Sequence, residues 1–547
     1  MVLANNKKGM LRTGARAIIM LGASALVGLL AHSVGLDRQQ IISCSIFIVI
    51  IMATLMFWKF RLAIAFVGIG ALMGTNVLTL PTFIRECKLD VILFLVGMMV
   101  TVGVLKELGL FTWIIQCVIG LRSITGPRFV VIIVFLGAFM ACAVDEVTSI
   151  VFVATLIFQV CDTLKVRPIP FVIIAVLGTN IGSSGTMLGN PVGILIGQNA
   201  SPPLRFADFL VWSFPIMLVT LSVSLCVMMY WFRRDIRILS QRLQARREMG
   251  LGLGPLVKVP YKRGLAILVG MICFIAMHHQ LERLLGLAPN TVLIVAPLVI
   301  AGLLMLWRHE RSRHYIESDV EWWTLLFFMM LFAVAGTLEE TRVTARIADY
   351  FQQVFGNRLS ILTPLVIAIS AVGSAFVDNI VFVAAFMPIV NKLEQTPLLW
   401  ALLQGTCLGG NITMIGSTAN IVALGMLEKR YRTHILFFEW LKIGAIVGLV
   451  SCLIAWAGIA VLAPHMPTVT ERRQKVLSHQ YGSQPHPESK GNSMQLRPTG
   501  DGFVEHTMPV MAALDEPRPE VEEPKLFSRL TEEREAVSSG PESGVLK

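Results

Sequence analysis

The chain has 547 residues, of which 55% are hydrophobic and only 15% are charged, and its mean hydropathy is +0.71. An ordinary soluble domain carries about 25% charged residues, so this composition excludes one and predicts a polytopic membrane protein. The net charge of +11 does not indicate nucleic-acid binding, because the basic residues cluster beside apolar segments, where they mark the cytoplasmic side of a membrane.

Apolar stretches near the length that crosses a bilayer recur along the chain and predict an all-α integral membrane protein with about eleven transmembrane helices. The spans of the first transmembrane half (14–232) cover 14–34, 40–57, 61–80, 90–121 (interrupted), 169–197 and 206–232. Those of the second half (263–463) cover 263–283, 290–307, 322–356 (interrupted), 397–428 and 434–463.

The basic residues agree with one topology for these spans. The N-terminus (1–13), the loop 233–262 and the segments 308–321 and 428–433 are all basic, and the span count places all four in the cytoplasm. Arg61, with its neighbour Lys59, is interpreted as the same kind of topology signal. The tail 464–547 is rich in Pro, Gly, Ser and charged residues, so we expect it to be disordered.

Two segments, 128–162 and 360–394, are left over by the span count. Each is too long for one span and carries acidic residues in its middle, with Asp145 in the first and Asp378 in the second. A carboxylate in hydrocarbon costs roughly 2.5–3.5 kcal/mol, so it needs a physical reason. We expect each segment to form a re-entrant hairpin whose non-helical tip lies at membrane depth, covered by protein or by a water-filled cavity.

The two halves carry similar sequences. "FLVGMMVTVGVLKELGLFTWI" in the first half matches "FFMMLFAVAGTLEETRVTARI" in the second. Glu107 matches Glu340 and Asp145 matches Asp378, and both pairs are separated by 233 residues. After each hairpin comes a span broken by Gly, Ser, Thr and Asn, at 169–197 and 397–428. This pattern predicts two inverted repeats, each with a hairpin and a broken helix, which in transporters meet at a binding site near the membrane midplane.

The hairpin tips and the broken helices together supply the candidate transport site. Carboxylates, amides, hydroxyls and freed backbone carbonyls suit hard cations, and the carboxylates also carry protons. The alternative for Asp378 is that it caps a buried helix N-terminus, a role compatible with ion binding. The predicted site residues are Asp145, Glu146, Thr148, Ser149, Asn180, Gly182, Asn190, Asp378, Asn379, Gly410, Asn411, Thr413, Ser417 and Asn420. Glu107, Glu339 and Glu340 are candidates for a gate, or they mark interfacial breaks in their spans.

Four sequence stretches resemble the signatures of the arsenite-efflux and sodium–proton-antiporter branch of the ion-transporter superfamily, whose members carry a citrate-transporter-like domain. They are "VDNIVFVAAFMPIV", "LGGNITMIGSTANIV", "VEWWTLLFFMMLFAVAGTLEET" and "TNIGSSGTMLGNP". The resemblance covers roughly residues 14–463. It implies paired hairpins, a scaffold and a mobile transport domain, elevator-like alternating access, and a homodimer.

The first half departs from the pattern of that family. Glu146 follows Asp145 where the family pattern has Asp-Asn, and Asn190 begins "NPVG" where the pattern has Asp-Pro-Pro-Asn. Lys106 stands at the first position of a Glu-Glu pair, and in the second half Val381 replaces a common proline. Relative to the family, a carboxylate is therefore lost at 190 and gained at 146.

The leading hypothesis is a secondary active transporter that exchanges a cation such as Na⁺ for protons, because three carboxylates are expected near the midplane. The alternative is proton-driven efflux of arsenite, silicic acid or another anion, which the Ser, Thr, Asn and Gly lining permits. A channel and an intramembrane hydrolase are remote alternatives, and the absence of GxxxxGK[ST] from the sequence disfavours an ATPase.

The remaining expectations concern partners and location. We expect no catalytic residues, no cofactor and no nucleic-acid partner. The expected partners are a small inorganic or organic ion, protons or Na⁺, and membrane lipids. We expect the protein in a plasma membrane of the bacterial inner-membrane kind, with an organelle membrane as the alternative.

Overall fold

The computed structural model describes residues 22, 24–29, 31–33, 35–57, 60–121, 124–250, 252, 259–287 and 291–474. Over these residues the chain is helical, and a helix at Ser24–Ser33 precedes the numbered elements. The helices of the first half are α1 (Arg38–Met56), α2 (Arg61–Gly74), α3 (Leu80–Glu86), α4 (Leu89–Glu107), α5 (Leu110–Ile119), α6 (Gly126–Ala143), α7 (Glu146–Leu164), α8 (Ile169–Ser183), α9 (Pro191–Asn199) and α10 (Phe206–Trp231).

Helix α11 (Arg233–Glu248) lies in the segment that connects the two halves. The helices of the second half are α12 (Lys262–Ala276), α13 (His278–Leu285), α14 (Thr291–Trp307), α15 (His309–Asp319), α16 (Trp322–Glu340), α17 (Val343–Phe355), α18 (Leu359–Phe376), α19 (Asn379–Lys392), α20 (Thr396–Gly409), α21 (Thr418–Tyr431) and α22 (Phe437–Leu462).

Among the described residues, seven helices are long and apolar enough to cross a membrane, and two bent helix pairs raise the number to as many as nine. The bent pairs are α12 with α13, at 60°, and α14 with α15, at 106°. These helices confirm the prediction of an all-helical integral membrane protein. The count of about eleven spans and the inverted repeat stay predictions.

The interruptions expected from the sequence coincide with breaks between helices. α4 and α5 are separated at Gly109, whose φ of 75° favours glycine, and α16 and α17 are separated at Arg342, with a φ of 61°. Residues 184–190 separate α8 from α9, and residues 410–417 separate α20 from α21. The two leftover segments each form a helix pair, α6 with α7 and α18 with α19, and the acidic residue stands at each break.

Small residues let each helix pair pack tightly onto the broken helix that follows it. α6 packs on α8, and α18 packs on α20. A Cβ added at Gly182 would lie 2.3 Å from the Ala138 Cα, and one added at Gly409 would lie 2.5 Å from the Ala371 Cα. Only glycine fits such backbone approaches, which are typical of helix packing in membranes. The packing fixes each hairpin tip beside the break in its partner helix.

Two segments differ from a simple reading of the sequence. The basic loop 233–262 contains α11, whose buried Ile236, Leu239 and Leu243 are three or four residues apart and so lie on one helix face. Residues 464–474, the start of the tail predicted to be disordered, pack on the protein: the Thr396 hydroxyl donates to the Pro467 carbonyl at 2.8 Å. The rest of that tail lies outside the described residues.

Candidate transport site

Four helices begin at the predicted site. They are α7, α9, α19 and α21, and each has a polar N-cap side chain: Asp145, Asn190, Asp378 and Ser417. Each cap accepts a hydrogen bond from a first-turn backbone N–H, at 2.7, 3.0, 3.1 and 3.1 Å respectively. The capping role considered for Asp378 is therefore present. The positive ends of four helices converge on one place.

A network of buried amides joins the broken helices of the two halves. The Asn180 Nδ2 donates to the Asn411 Oδ1 at 2.9 Å and to the Asn420 Oδ1 at 2.8 Å. The Asn420 Nδ2 in turn donates to the Gly410 and Thr413 carbonyls at 2.8 and 3.0 Å. In this conformation the three amides bind one another and the unwound backbone, and they hold the two breaks side by side.

Glu146 differs from the other two carboxylates of the site. Its side chain does not cap a helix, and the residue is only 7% exposed. One oxygen, Oε1, accepts a hydrogen bond from the Ser417 hydroxyl at 3.1 Å. The other, Oε2, is buried and has no hydrogen-bond partner among the described residues, although the Ser183 hydroxyl and the Asn190 amide lie near the carboxyl. A buried carboxylate oxygen without a partner is costly, so this atom is a candidate for binding a proton or a cation.

A cavity of about 270 Å³ lies in front of this carboxylate. Of the predicted site residues, Asp145, Glu146, Thr148 and Asn190 line it, on the ends of α7 and α9. The opposite wall comes from α4 and α16, and Thr418 lines it at the start of α21. The predicted residues thus form one wall of the cavity, and the residues of the opposite wall were not predicted.

The other predicted residues bind within the hairpins and breaks. The Ser149 hydroxyl donates to the Asp145 carbonyl at 2.6 Å, inside the first turn of α7. The Asn379 Oδ1 accepts from the Ser374 hydroxyl, and the Thr413 hydroxyl donates to the Ala375 carbonyl. The bond from Thr413 to Ala375 ties the end of α18 to the break between α20 and α21.

Arg61 is a site residue that the sequence analysis interpreted otherwise. It is 6% exposed, its Nη2 donates to the Thr324 hydroxyl at 3.0 Å, and its guanidinium lies 4.9 Å from the centre of the Phe327 ring. It is also close enough to Asp378 for the two charges to attract. The local sequence beside a span gives no signal that distinguishes this buried counter-charge from an ordinary topology marker.

The three candidate gate residues lie at the ends of α4 and α16. Glu107 pairs with Arg308 at 2.5 Å and accepts from the Tyr315 hydroxyl, and Glu340 pairs with Arg85 at 2.6 Å. Glu339 lines a second, smaller cavity of about 90 Å³. The three residues therefore lie at helix ends, and their role as a gate stays a prediction.

Comparison with known proteins assigns the sequence to a family. The family model described as citrate transporter (CitMHS) matches residues 46–405. The chain belongs to the citrate transporter family. The match covers both helix pairs and ends within α20, before the break that holds Asn411 and Asn420.

The relatives of this member of the citrate transporter family include bacterial and mammalian proteins. A "46 kDa membrane protein" of Mycobacterium leprae is 32% identical over 391 residues, which are 68% of this chain and 85% of the relative. An uncharacterized transporter of Mycobacterium tuberculosis is 31% identical over 378 residues, 67% of this chain and 84% of the relative. The P protein of Sus scrofa is 24% identical over 453 residues, 69% of this chain and 53% of that protein. The chain is thus similar to membrane transporters, and bacterial relatives support a plasma-membrane location.

Proposed function

We propose that this member of the citrate transporter family is a secondary active transporter that exchanges a cation, Na⁺ in the first instance, for protons by alternating access. The observation that carries the proposal is the Glu146 carboxyl, which is buried, faces a cavity and leaves one oxygen without a partner among the described residues. A proton or a cation on the free oxygen would remove the cost of leaving it without a partner, so the group suits an exchange of one for the other.

The surrounding charges single out Glu146. Asp145 and Asp378 each cap a helix, whose N-terminus carries about half a positive charge. Asp378 is also attracted to the buried Arg61. The Glu146 carboxyl has only neutral hydrogen-bonding groups around it and lies within electrostatic range of Asp378. Glu146 stands in the first turn of α7 and shares the field of that helix with Asp145, but it alone of the three has a buried oxygen with no hydrogen-bond partner among the described residues, so we assign the exchanged proton to it.

A second candidate function is proton-driven efflux of an anion such as arsenite, or of silicic acid. The specific observation behind it is that four helix N-termini meet at the cavity, and two of them have the neutral caps Asn190 and Ser417. Uncompensated helix N-termini attract anions, and half-helices in transporters point at anionic substrate groups. With Glu146 protonated, the site would be short of negative charge and an anion could supply it.

Purified protein in proteoliposomes loaded with a pH-sensitive dye tests the two functions together. Pulses of Na⁺, Li⁺ and K⁺ are followed by citrate, arsenite and silicic acid. The variants are Glu146→Gln and Asp378→Asn, and the matched control is Glu317→Gln, which removes a carboxylate that is 56% exposed in a surface ion pair. We expect cation-triggered proton release that is lost in both site variants and kept in the control. A proton signal with arsenite, silicic acid or citrate alone would support the second function, and silence of folded protein with every solute would refute both.

A further inference from the structure

The cavity of about 90 Å³ at Glu339, called the small cavity below, lies along three of the helices that line the cavity of about 270 Å³ in front of Glu146, called the large cavity. It is lined by the ends of α9 and α19 that lie away from the hairpin tips and by the later part of α16. In α16, Thr324 and Phe328 line the large cavity, and Phe332, Gly336 and Glu339 line the small one. These residues are three or four positions apart, so they form one stripe along a single face of the helix.

On the other two helices, too, the residues that line the two cavities come close together along the chain. In α9, Ile194 lines the large cavity and Leu195 the small one. In α19, Ile380 lines the large cavity and Ala384 the small one. The step from one cavity to the other is four residues or fewer on each of the three helices, which is about 6 Å at 1.5 Å per residue. The two linings therefore lie within about one turn of each other along each helix axis.

The two cavities open toward opposite ends of α16. The large cavity is bordered by Lys106 and Asp319, beside the basic segment that the sequence analysis places in the cytoplasm. The small cavity is bordered by Glu86, Lys88 and Glu339, at the other end. Thr324 and Glu339 are fifteen residues apart, so the stripe extends about 22 Å of the roughly 30 Å of hydrocarbon.

We infer that the small cavity at Glu86, Glu339 and Asn391 is the opposite mouth of the transport route, and that Phe332 forms the barrier that keeps it closed to the site. The inference rests on the proposed function and specifies its route for a small cation and a proton. Phe332 is 2% exposed and lies one turn from Phe328. The mouth itself is narrow, because Glu86 packs against Gly336, where a Cβ would lie 2.6 Å from the Glu86 Cβ. Glu86 pairs there with Arg85 at 2.8 Å and with Lys88 at 3.5 Å, which leaves Glu339 as the carboxylate of this mouth without an ion pair among the described residues.

Sided labelling tests the route without relying on transport. Single substitutions Val151→Cys, in the large cavity, and Ala384→Cys, in the small one, are treated with a membrane-impermeant cationic methanethiosulfonate in right-side-out and inside-out vesicles. Ala385→Cys, next to Ala384 but outside both cavity linings, is the matched control, and the wild-type chain gives the background of its nine native cysteines. We expect Val151→Cys to react only from the cytoplasmic side and Ala384→Cys only from the other side. Reaction of both from one side, or of Ala384→Cys no faster than Ala385→Cys, would overturn the route.

A leak assay tests the barrier. Phe332→Ala should let protons or Na⁺ cross proteoliposomes in the absence of exchange, whereas Leu331→Ala, on the same helix and 1% exposed, should not. If Phe332→Ala does not fold, Phe332→Val takes its place. A Phe332 variant as tight as Leu331→Ala would overturn the barrier. Because the wild-type protein is assayed for exchange in the same vesicles, failure of the proposed function is distinguished from failure of the barrier.

Discussion

Replacing Asn180 with Ala removes a side chain that joins the broken helices of both halves. Its Nδ2 donates to Asn411 and Asn420 at 2.9 and 2.8 Å, and all three residues are at most 1% exposed. At the average of about 0.6 kcal/mol for a hydrogen bond inside a membrane protein, two lost bonds give a lower bound near 1.2 kcal/mol. Two stranded buried acceptors at about 1–3 kcal/mol each give an upper bound near 6 kcal/mol.

We therefore expect Asn180→Ala to lower the free energy of unfolding by about 2–4 kcal/mol, between these bounds. The assay is equilibrium unfolding in mixed detergent micelles, followed by tryptophan fluorescence. The control is Gln244→Ala, which removes a surface amide bonded to Glu248 at 3.0 Å and should cost less than about 0.5 kcal/mol. If Asn180→Ala costs no more than Gln244→Ala, the amide network does not hold the two halves together, and the reasoning is refuted.

Three further substitutions test the packing, the surface charges and the cap. Gly182→Ala should abolish a monodisperse size-exclusion peak, because its Cβ would lie 2.3 Å from the Ala138 Cα. The control Gly302→Ala, which has open space around it, should preserve the peak. Equal behaviour of the two variants would contradict the packing. Asp162→Asn removes the half-exposed ion pair with Arg430 and should lower the free energy of unfolding by less than about 1 kcal/mol in the same assay. A larger decrease would contradict a surface role for this pair. Asp378→Asn keeps a good N-cap but loses the attraction to Arg61, and it should lose exchange. Asp378→Ala should be about 1 kcal/mol less stable than Asp378→Asn, and equal stability of the two would refute the cap.

The sequence supports prediction best where a residue type has one physical use. Asp145 and Asp378 stand in apolar segments at equivalent positions, and each lies at the break of a helix pair. The breaks near 184–190 and 410–417 follow from runs of Gly, Ser, Thr and Asn that favour neither a long helix nor a strand. In these cases local composition alone determines where the helix ends.

Prediction is weaker where a residue has several uses that only the tertiary structure distinguishes. Asn411 and Asn420 were expected to line a hydrated site, but spacing cannot tell whether an amide faces water or another amide. Arg61 precedes an apolar helix as a topology signal would, yet it is buried beside Thr324. The wall of the cavity that α4 and α16 form carries mostly apolar residues, and their sequence does not differ from that of any buried helix.

The geometry explains how several carboxylates can share a small buried region. A carboxylate at a helix N-cap receives backbone hydrogen bonds and the field of the helix, so Asp145 and Asp378 are compensated whether or not an ion is bound. Glu146 comes one residue later, in the first turn of α7; its Oε1 accepts from the Ser417 hydroxyl, whereas its Oε2 has no hydrogen-bond partner among the described residues. With two carboxylates used as caps, Glu146 is the group at which we expect the charge to change. In the family that the sequence resembles, the pattern has a carboxylate at position 190, where Asn190 caps α9 in this chain, and none at 146; we expect this difference to place the exchanged proton on Glu146.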